Sequence, residues 1–221
     1  MSVTLSEEIM LLSLDDVSGT AKDRLTVGWP VVGGILLDLA LRGRITVTNG
    51  VLAIADLTPT GEALLDGRLE MLAAWIPSKR KPKVGDWMMK DQQKAVAAAV
   101  ESLCRRGLVA EERHKLLGLF PVKRYPEVDG SVERELRARL KAVVQAGAHP
   151  DERTAGLIAL LHGSGLHRLA FPGVPGREVK PRMAEIAAGQ WADGALREAI
   201  QAAQAAILAA TTAAVVAASV S

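Results

Sequence analysis

Apolar positions in this chain recur mostly at helical spacing, with short alternating runs set between the helices. Thr4 and Glu7 form a capping-box pair around Leu5, Ile9 and Leu12, which predicts a short amphipathic helix over 4–14. Asp15, Asp16, Ser18 and Gly19 read as a turn. A second helix is predicted from near Pro30, through Ile35, Leu36 and Leu39, to a C-terminal cap at Gly43. The β-rich runs 44–48 and 51–55 are joined by Asn49-Gly50, a pair that tolerates positive φ and predicts a tight hairpin. Thr58 as a cap, with Pro59 in the first turn, predicts a third helix through Leu64, Leu65, Leu69 and Leu72 to Trp75, stopped by Pro77.

Residues 77–85 are the most polar and basic stretch and read as an exposed connector carrying Lys79, Arg80, Lys81 and Lys83. A helix over 86–106 follows, ended by Gly107. A second strand pair is expected from 108–111 and 116–120, with Arg113 and His114 in the bend. The order helix, Arg-Gly, hairpin thus occurs twice, an echo too short to be a duplication. Helices are then predicted over 131–146 and 151–162, a Pro/Gly loop over 171–181, and helices again over 183–189 and 191–218. The expected fold is mainly α, one globular helical domain spanning 1–221, with two small β-hairpins and a buried apolar C-terminal helix.

That last helix raises a membrane question, because the 23 residues from Ala199 to Ser221 carry no charge. Helical, they would reach across a bilayer core of about 30 Å. They are mostly alanine, interrupted by Gln201, Gln204, Thr211 and Thr212, whereas insertion is driven by Leu, Ile, Phe and Val. A helix enclosed by protein fits better. The N-terminus has no basic stretch followed by an apolar core, so no signal peptide is expected.

Composition narrows the function classes. Across 221 residues, 27 Lys and Arg stand against 25 Asp and Glu, a net +2 that argues against a general polyanion coat and makes any anion site local. Aromatics at 3% are too few for stacked-base platforms. The single cysteine, Cys104, excludes an internal disulfide or a thiolate zinc cluster; it follows Val100 and Leu103 as a packed thiol, and a reducing, intracellular location is expected.

Catalytic motifs are absent. Gly163-Ser164-Gly165 lacks the spacing and the preceding strand of a nucleophile elbow, and reads as a loop after a helix. His162 and His167, five apart, share no helical face, and no cofactor or metal is implied. Asp15-Asp16 and Glu111-Glu112 are sequence neighbours pointing apart, so neither is an acid/base dyad. Gly33-Gly34 opens no phosphate loop. The segment 102–125 has the outline of a winged helix, yet the helix before it offers Ala95, Val96, Ala97, Ala98, Ala99 and Val100, which cannot hydrogen-bond base edges; a DNA-binding regulator is the second reading. The connector cations Lys79, Arg80, Lys81 and Lys83 form either a solvated loop or a face for anionic lipid. The flanking Trp75 and Trp87 are either headgroup anchors or core.

Several stretches, in order, carry a resemblance: EEIMLLSLDD at 7–16, ILLDLALRGRI at 35–45, PTGEALLDGRL at 59–69, SLCRRGLV at 102–109 and HPDERTAGLIALLH at 149–162. They resemble the Golgi phosphoprotein 3 family over nearly the whole chain. LALRGR before a hairpin, and PTG before LLD, are the most specific pieces. The resemblance implies a mostly helical domain around a buried C-terminal helix, no enzyme activity, binding of phosphatidylinositol 4-phosphate at membranes and retention of glycosyltransferases through their cytosolic tails.

The family's headgroup pocket uses a tryptophan and an arginine before LALRGR, and two arginines three apart on the helix before the second hairpin. Those places fall here near Asp23, Val32, Gln93 and Val96. Arg24, Trp29, Lys90 and Lys94 lie close in sequence and are the lipid-binding candidates. Lys79, Arg80, Lys81, Lys83, Arg113, Lys115, Lys123 and Arg124 form the expected membrane or partner face, and the resemblance implies self-association through the second hairpin. Abundant Ala, Arg and Gly suggest a bacterial, actinobacterial-like member. The expected protein is a cytoplasmic, peripheral membrane adaptor without a cofactor, whose partners are anionic lipid, protein tails and a second copy of itself.

Overall fold

The structure, a computed structural model, describes residues 3–14, 27–116, 120–188 and 197–206, with the backbone alone over 113–116 and 120–123. The expected turn at 15–19, and the C-terminal tail from 207, lie outside the described residues. In chain order come α1 (Leu5–Ser13), α2 (Gly28–Leu41), the hairpin β1 (Ile45–Thr48) and β2 (Val51–Ile54), and α3 (Ala63–Trp75), which tightens into a 3₁₀ turn at Ile76–Ser78. Then follow α4 (Val84–Arg105), the hairpin β3 (Glu112–Leu116) and β4 (Phe120–Arg124), α5 (Ser131–Val144), α6 (Glu152–Gly163), α7 (His167–Ala170) and α8 (Gly176–Ala187). Residues 197–206 form a last described helix. The fold is mainly α with two antiparallel hairpins, as expected.

Local chemistry sets the helix ends. The capping box forms: Thr4 Oγ1 accepts from the Glu7 N–H, while Glu7 Oε2 accepts from the Thr4 N–H at 2.6 Å. Asp151 caps α6 by accepting from the Thr154 N–H. Gly43, Gly107 and Gly165 each adopt positive φ just past a helix. After α2, the Gly43 N–H reaches Ala40 O and the Arg44 N–H reaches Leu39 O; Gly107-Leu108 and Gly165-Leu166 repeat this pattern. Ser164, within the expected loop, donates to Leu160 O at 2.7 Å and closes α6. Asn49 and Gly50, both at positive φ, turn the first hairpin.

The core is built around α2. From Gly28 to Leu39 all its residues but the half-buried Trp29 are buried, and it packs against α1, α4 and α6. Its glycines permit the close approaches. A methyl on Gly34 would lie 2.9 Å from the Ser6 backbone nitrogen, and one on Gly28 would lie 3.2 Å from Gln92 Cβ. The last described helix packs here too, through Ala199, Ile200 and Ala203, with Gln204 Nε2 donating to Ala159 O; Glu198 and Gln201 face solvent. Among the described residues, no helix is long and apolar enough to cross a membrane.

Buried acids and basic side chains join α1 to the rest. Glu7, with no exposed surface, meets Arg106 at 2.8 Å, and Arg106 also bonds Glu62 at the start of α3. Glu8 meets Arg139 of α5 at 2.8 Å and Arg153 of α6 at 3.3 Å. Arg153 also holds Asp38 of α2 at 2.6 Å and bonds Val3 O. Burial pushes the Asp38 carboxyl up to about 6, against the pull of Arg153 and of the Leu5 N–H that it accepts.

Asp38 therefore keeps its proton in the folded state over a range where the unfolded chain has released it. Its contribution to stability is complete below about pH 3.8 and is lost as pH rises through about 6, by about 3 kcal/mol in all. Urea unfolding of wild type and Asp38→Asn across pH 4–7 should give a stability difference that shifts against wild type as pH rises; a pH-independent difference would mean an acid ionised throughout.

Three expectations change, and one open alternative is decided. Thr58 does not cap α3: its N–H and hydroxyl turn back to Asp56 Oδ1, Gly61 takes positive φ, and the helix starts only at Ala63. Residues 108–111 do not pair with 116–120. Val109 bridges Glu127, while Arg113 and His114 sit within β3, in register with Lys123 and Val122 of β4, and not in a bend. The hairpin's base is held by buried Leu108 and Val109. The Pro/Gly loop ends early, because α8 begins at Gly176 and runs through Pro181; fully buried Val179 and Met183 outweigh the hydrogen bond that a proline cannot donate. Finally, Trp75 and Trp87 belong to the core, 5% and 1% exposed, with ring centroids 5.3 Å apart, so they do not project toward lipid.

Candidate functional site

Two surface features carry chemistry. The first is the basic connector. Lys79, Arg80, Lys81 and Lys83 are all exposed, while Pro82 between them is buried. Pairing to the first hairpin fixes the connector's end: the Leu52 N–H donates to Pro82 O and the Val84 N–H to Gly50 O, so Lys83 bridges Val51. The ammonium groups of Lys79 and Lys90 both lie over the Trp75 ring, 5.9 and 6.0 Å from its centroid. The indole is core, but its outer face gathers cations from the connector and from α4.

Lys94, one turn beyond Lys90, is also exposed. Between them Asp91 is buried and held by Arg68 of α3 at 2.7 Å; the Arg68 guanidinium donates to Lys94 O as well, locking α3 to α4 behind this face. Burial raises the Asp91 pKa, against the pull of Arg68, Lys94 and Lys90. The Arg68 pair is spent on the fold, while Lys90 and Lys94 are exposed.

The second feature is a half-open cavity of about 940 Å³. The end of α1, the start of α2, one face of α4 and the base of the second hairpin enclose it. Met10, Leu14 and Val27 supply aliphatic walls, with Val96 and Val100 from α4. Trp29 and Tyr125 bring aromatic rings, and Gln92, Gln93, Glu101 and Glu111 the polar groups. On α4, Gln92, Val96, Val100 and Cys104 fall at four-residue spacing along one face, so one helix provides a continuous wall. Cys104 lines this cavity, half-buried, rather than lying in the interior.

The expected site residues are thus divided. Trp29, half-buried, lines the cavity, whereas Lys90 and Lys94 stand on the exposed side of α4 and do not. Arg24 and Asp23 lie outside the described residues. Val32 is fully buried in α2, while Gln93 and Val96 line the cavity. In the second hairpin, Arg113 faces Lys123 across the ladder, Lys115 faces Pro121, and half-buried Arg124 faces Glu112. Sequence reading missed Glu101, Glu111 and Tyr125 as cavity residues; the four-residue recurrence along α4 was the one available signal.

Among the described residues, no group of three His, Cys, Asp or Glu could hold a metal ion. Burial, and then nearby Lys180, lower the pKa of both His162 and His167.

Comparison with known proteins decides the family. The family model described as Golgi phosphoprotein 3 (GPP34) matches residues 5–203. The chain belongs to the Golgi phosphoprotein 3 family. Vacuolar protein sorting-associated protein 74 of Eremothecium gossypii is 26% identical over 168 residues, covering 65% of this chain and 49% of that protein. Its namesake in Schizosaccharomyces pombe is 25% identical over 167 residues, covering 64% and 48%. The matched stretch therefore spans about half the length of those relatives. In this Golgi phosphoprotein 3 family member, the match runs from α1 into the last described helix and includes both surface features.

Proposed function

We propose that this chain is a non-catalytic, peripheral membrane protein that binds anionic phospholipid from the cytoplasmic side through Lys79, Arg80, Lys81 and Lys83, with Lys90 beside them. The carrying observation is that all five side chains are exposed, with the ammonium groups of Lys79 and Lys90 both over the Trp75 ring. Each such cation contributes roughly 1 kcal/mol near an anionic surface, so four together favour the bound state by about a thousandfold at low ionic strength. The second hairpin, 113–124, is the face we assign to protein tails or to a second copy of the chain. Recognition here is by charge, because a phosphomonoester is normally held by paired guanidinium groups and the Gln93 and Val96 positions supply neither.

Sedimentation with phosphatidylglycerol vesicles tests the reading. Wild type should pellet at low salt and be released as salt rises; replacing Lys79, Arg80, Lys81 and Lys83 by serine should weaken binding by roughly two to three orders of magnitude. Equal charge supplied as phosphatidylinositol 4-phosphate should add nothing further. Retained binding in the quadruple variant, or tighter binding to duplex DNA than to vesicles, would overturn the proposal.

A further inference from the structure

α8 begins without a side-chain cap. Pro175 precedes Gly176, and among the described residues no side chain accepts from the first amide groups of this 12-residue helix. Glu178 and Glu185 fall on the opposite face of α8 from Gly176 and Lys180. Two side chains converge on the uncapped turn. A methyl on Gly176 would lie 2.9 Å from His167 Nε2 and 3.2 Å from Lys180 Cε, so the glycine makes room for the imidazole. His167 is only 8% exposed. Its Nδ1 lies 3.1 Å from Gly165 O, and since a carbonyl only accepts, Nδ1 carries the ring proton and donates. In the neutral ring Nε2 is then bare, and among the described residues it has no hydrogen-bond partner.

The described charges acting on this ring are positive. Lys180 of α8 and Arg168 beside it act on His167, and His162 of α6 feels Lys180 and His167 in turn. Lys180, Arg168 and Arg177 are all exposed. The buried acids of neighbouring helices are committed elsewhere: Glu7 and Glu8 of α1 to Arg106, Arg139 and Arg153, and Glu133 of α5 to Arg137. Asp151 and Glu152 stand at the other end of α6 from His162, and Glu135 of α5 is exposed. At the end of α6, the carbonyls of Leu160, Leu161 and His162 already accept from the residues that close it. Burial, then Lys180 and Arg168, lower the His167 pKa against the pull of the Gly165 hydrogen bond, so at pH 7 the ring is neutral without a negative partner. We propose that the start of α8 binds a tetrahedral oxyanion, a phosphate or sulfate group, among the Gly176 and Arg177 amides, the Lys180 ammonium and a protonated His167. Nε2 takes that proton from solvent as the anion arrives and becomes a donor to it, so affinity rises as pH falls. The site works independently of the connector cations Lys79, Arg80, Lys81 and Lys83.

Sulfate is the first probe, because it stays a dianion across the histidine range. With the His167 ring protons followed by NMR at matched ionic strength, sulfate should raise the titration midpoint by about one pH unit more than chloride does, equivalent to about tenfold tighter binding to the protonated ring. Lys180→Ser, at an exposed position, should keep the fold and shrink that rise. In calorimetry, wild type should bind sulfate several-fold tighter at pH 5.5 than at pH 7.5, and His167→Gln should lose most of that dependence. Glycerol 3-phosphate and phosphatidic acid vesicles, which carry the same phosphomonoester, separate the sources: weakening by Lys180→Ser with the soluble ester alone marks a free anion, and weakening with the vesicles as well marks a headgroup. A midpoint that sulfate moves no further than chloride, a rise as large in Lys180→Ser as in wild type, or a pH dependence intact in His167→Gln would each overturn the proposal. The quadruple connector variant should give the full sulfate response, so failure of either site is read separately.

Discussion

Gly34→Ala should destabilise the fold by about 1–3 kcal/mol, although alanine is the better helix former. The added methyl would lie 2.9 Å from the Ser6 nitrogen, 3.1 Å from the Leu5 carbonyl carbon and 3.2 Å from Leu5 Cβ. Two of those neighbours are backbone, so no side-chain rotation relieves the contact and α1 must move as a unit. Its capping box and its ion pairs to Arg106, Arg139 and Arg153 hold α1 in place. Gly67, mid-helix and exposed in α3, provides the contrast: a methyl there meets nothing within 4 Å, and Gly67→Ala should stabilise by up to about 1 kcal/mol. Urea midpoints at unchanged m-value read both. Equal effects at the two positions would show that helix propensity, and not the α1–α2 approach, governs Gly34.

Arg153→Ala carries the other large expected effect, about 3–5 kcal/mol at pH 7. The guanidinium lies 2.6 Å from Asp38, 98% buried, and 3.3 Å from Glu8, and it also bonds Val3 O. Its removal leaves the Asp38 carboxyl in the interior with the Leu5 N–H and the charge of Arg42 for support, while Glu8 keeps Arg139. Because the Asp38 pKa is already raised to about 6, and Arg153 is what lowers it, the variant should hold that proton to still higher pH. The deficit should therefore be largest near neutrality and shrink as pH falls below about 6. Chemical denaturation at pH 5 and pH 7.5 measures it. A deficit that does not change with pH would mean that Arg153 acts through packing alone. The Arg153→Ala, Asp38→Asn pair should recover part of the loss at neutral pH, since an amide tolerates burial better than a carboxylate does.

Most element types were legible in the sequence because local rules decide them. Thr4 with Glu7, Asn49-Gly50, Gly43, Gly107 and Pro77 each act within a few residues, and each does in the structure what its chemistry requires. Errors arose where distant contacts overrule local preference. Pro181 looks like a breaker, yet α8 runs through it because Val179 and Met183 are needed in the core. Thr58 looks like a cap, yet Asp56 takes its hydrogen bonds. Trp75 and Trp87, open in the sequence between lipid anchor and core, are decided by a contact across twelve residues.

The basic connector was visible as a run of charges, but its support by Val51 and Leu52 was not. The cavity was hidden for a related reason. Its wall on α4 is a periodic stripe, and such a stripe reads alike whether the space it faces is filled by protein or left for a ligand. Only the arrangement of α1, α2 and the hairpin base distinguishes the two.

The all-round burial of α2 also bears on dissection of the molecule. Leu5 of α1, Leu160 of α6 and Gln92 of α4 between them all approach its glycines, so no cut before α6 separates an N-terminal module from the rest. A fragment ending before α6 would keep the connector cations and much of the cavity wall, but it would bare a greasy strip along α2 and adhere to whatever it met. Truncations that bind everything would then report stickiness, and point substitutions in the intact chain are the sounder way to assign its surfaces.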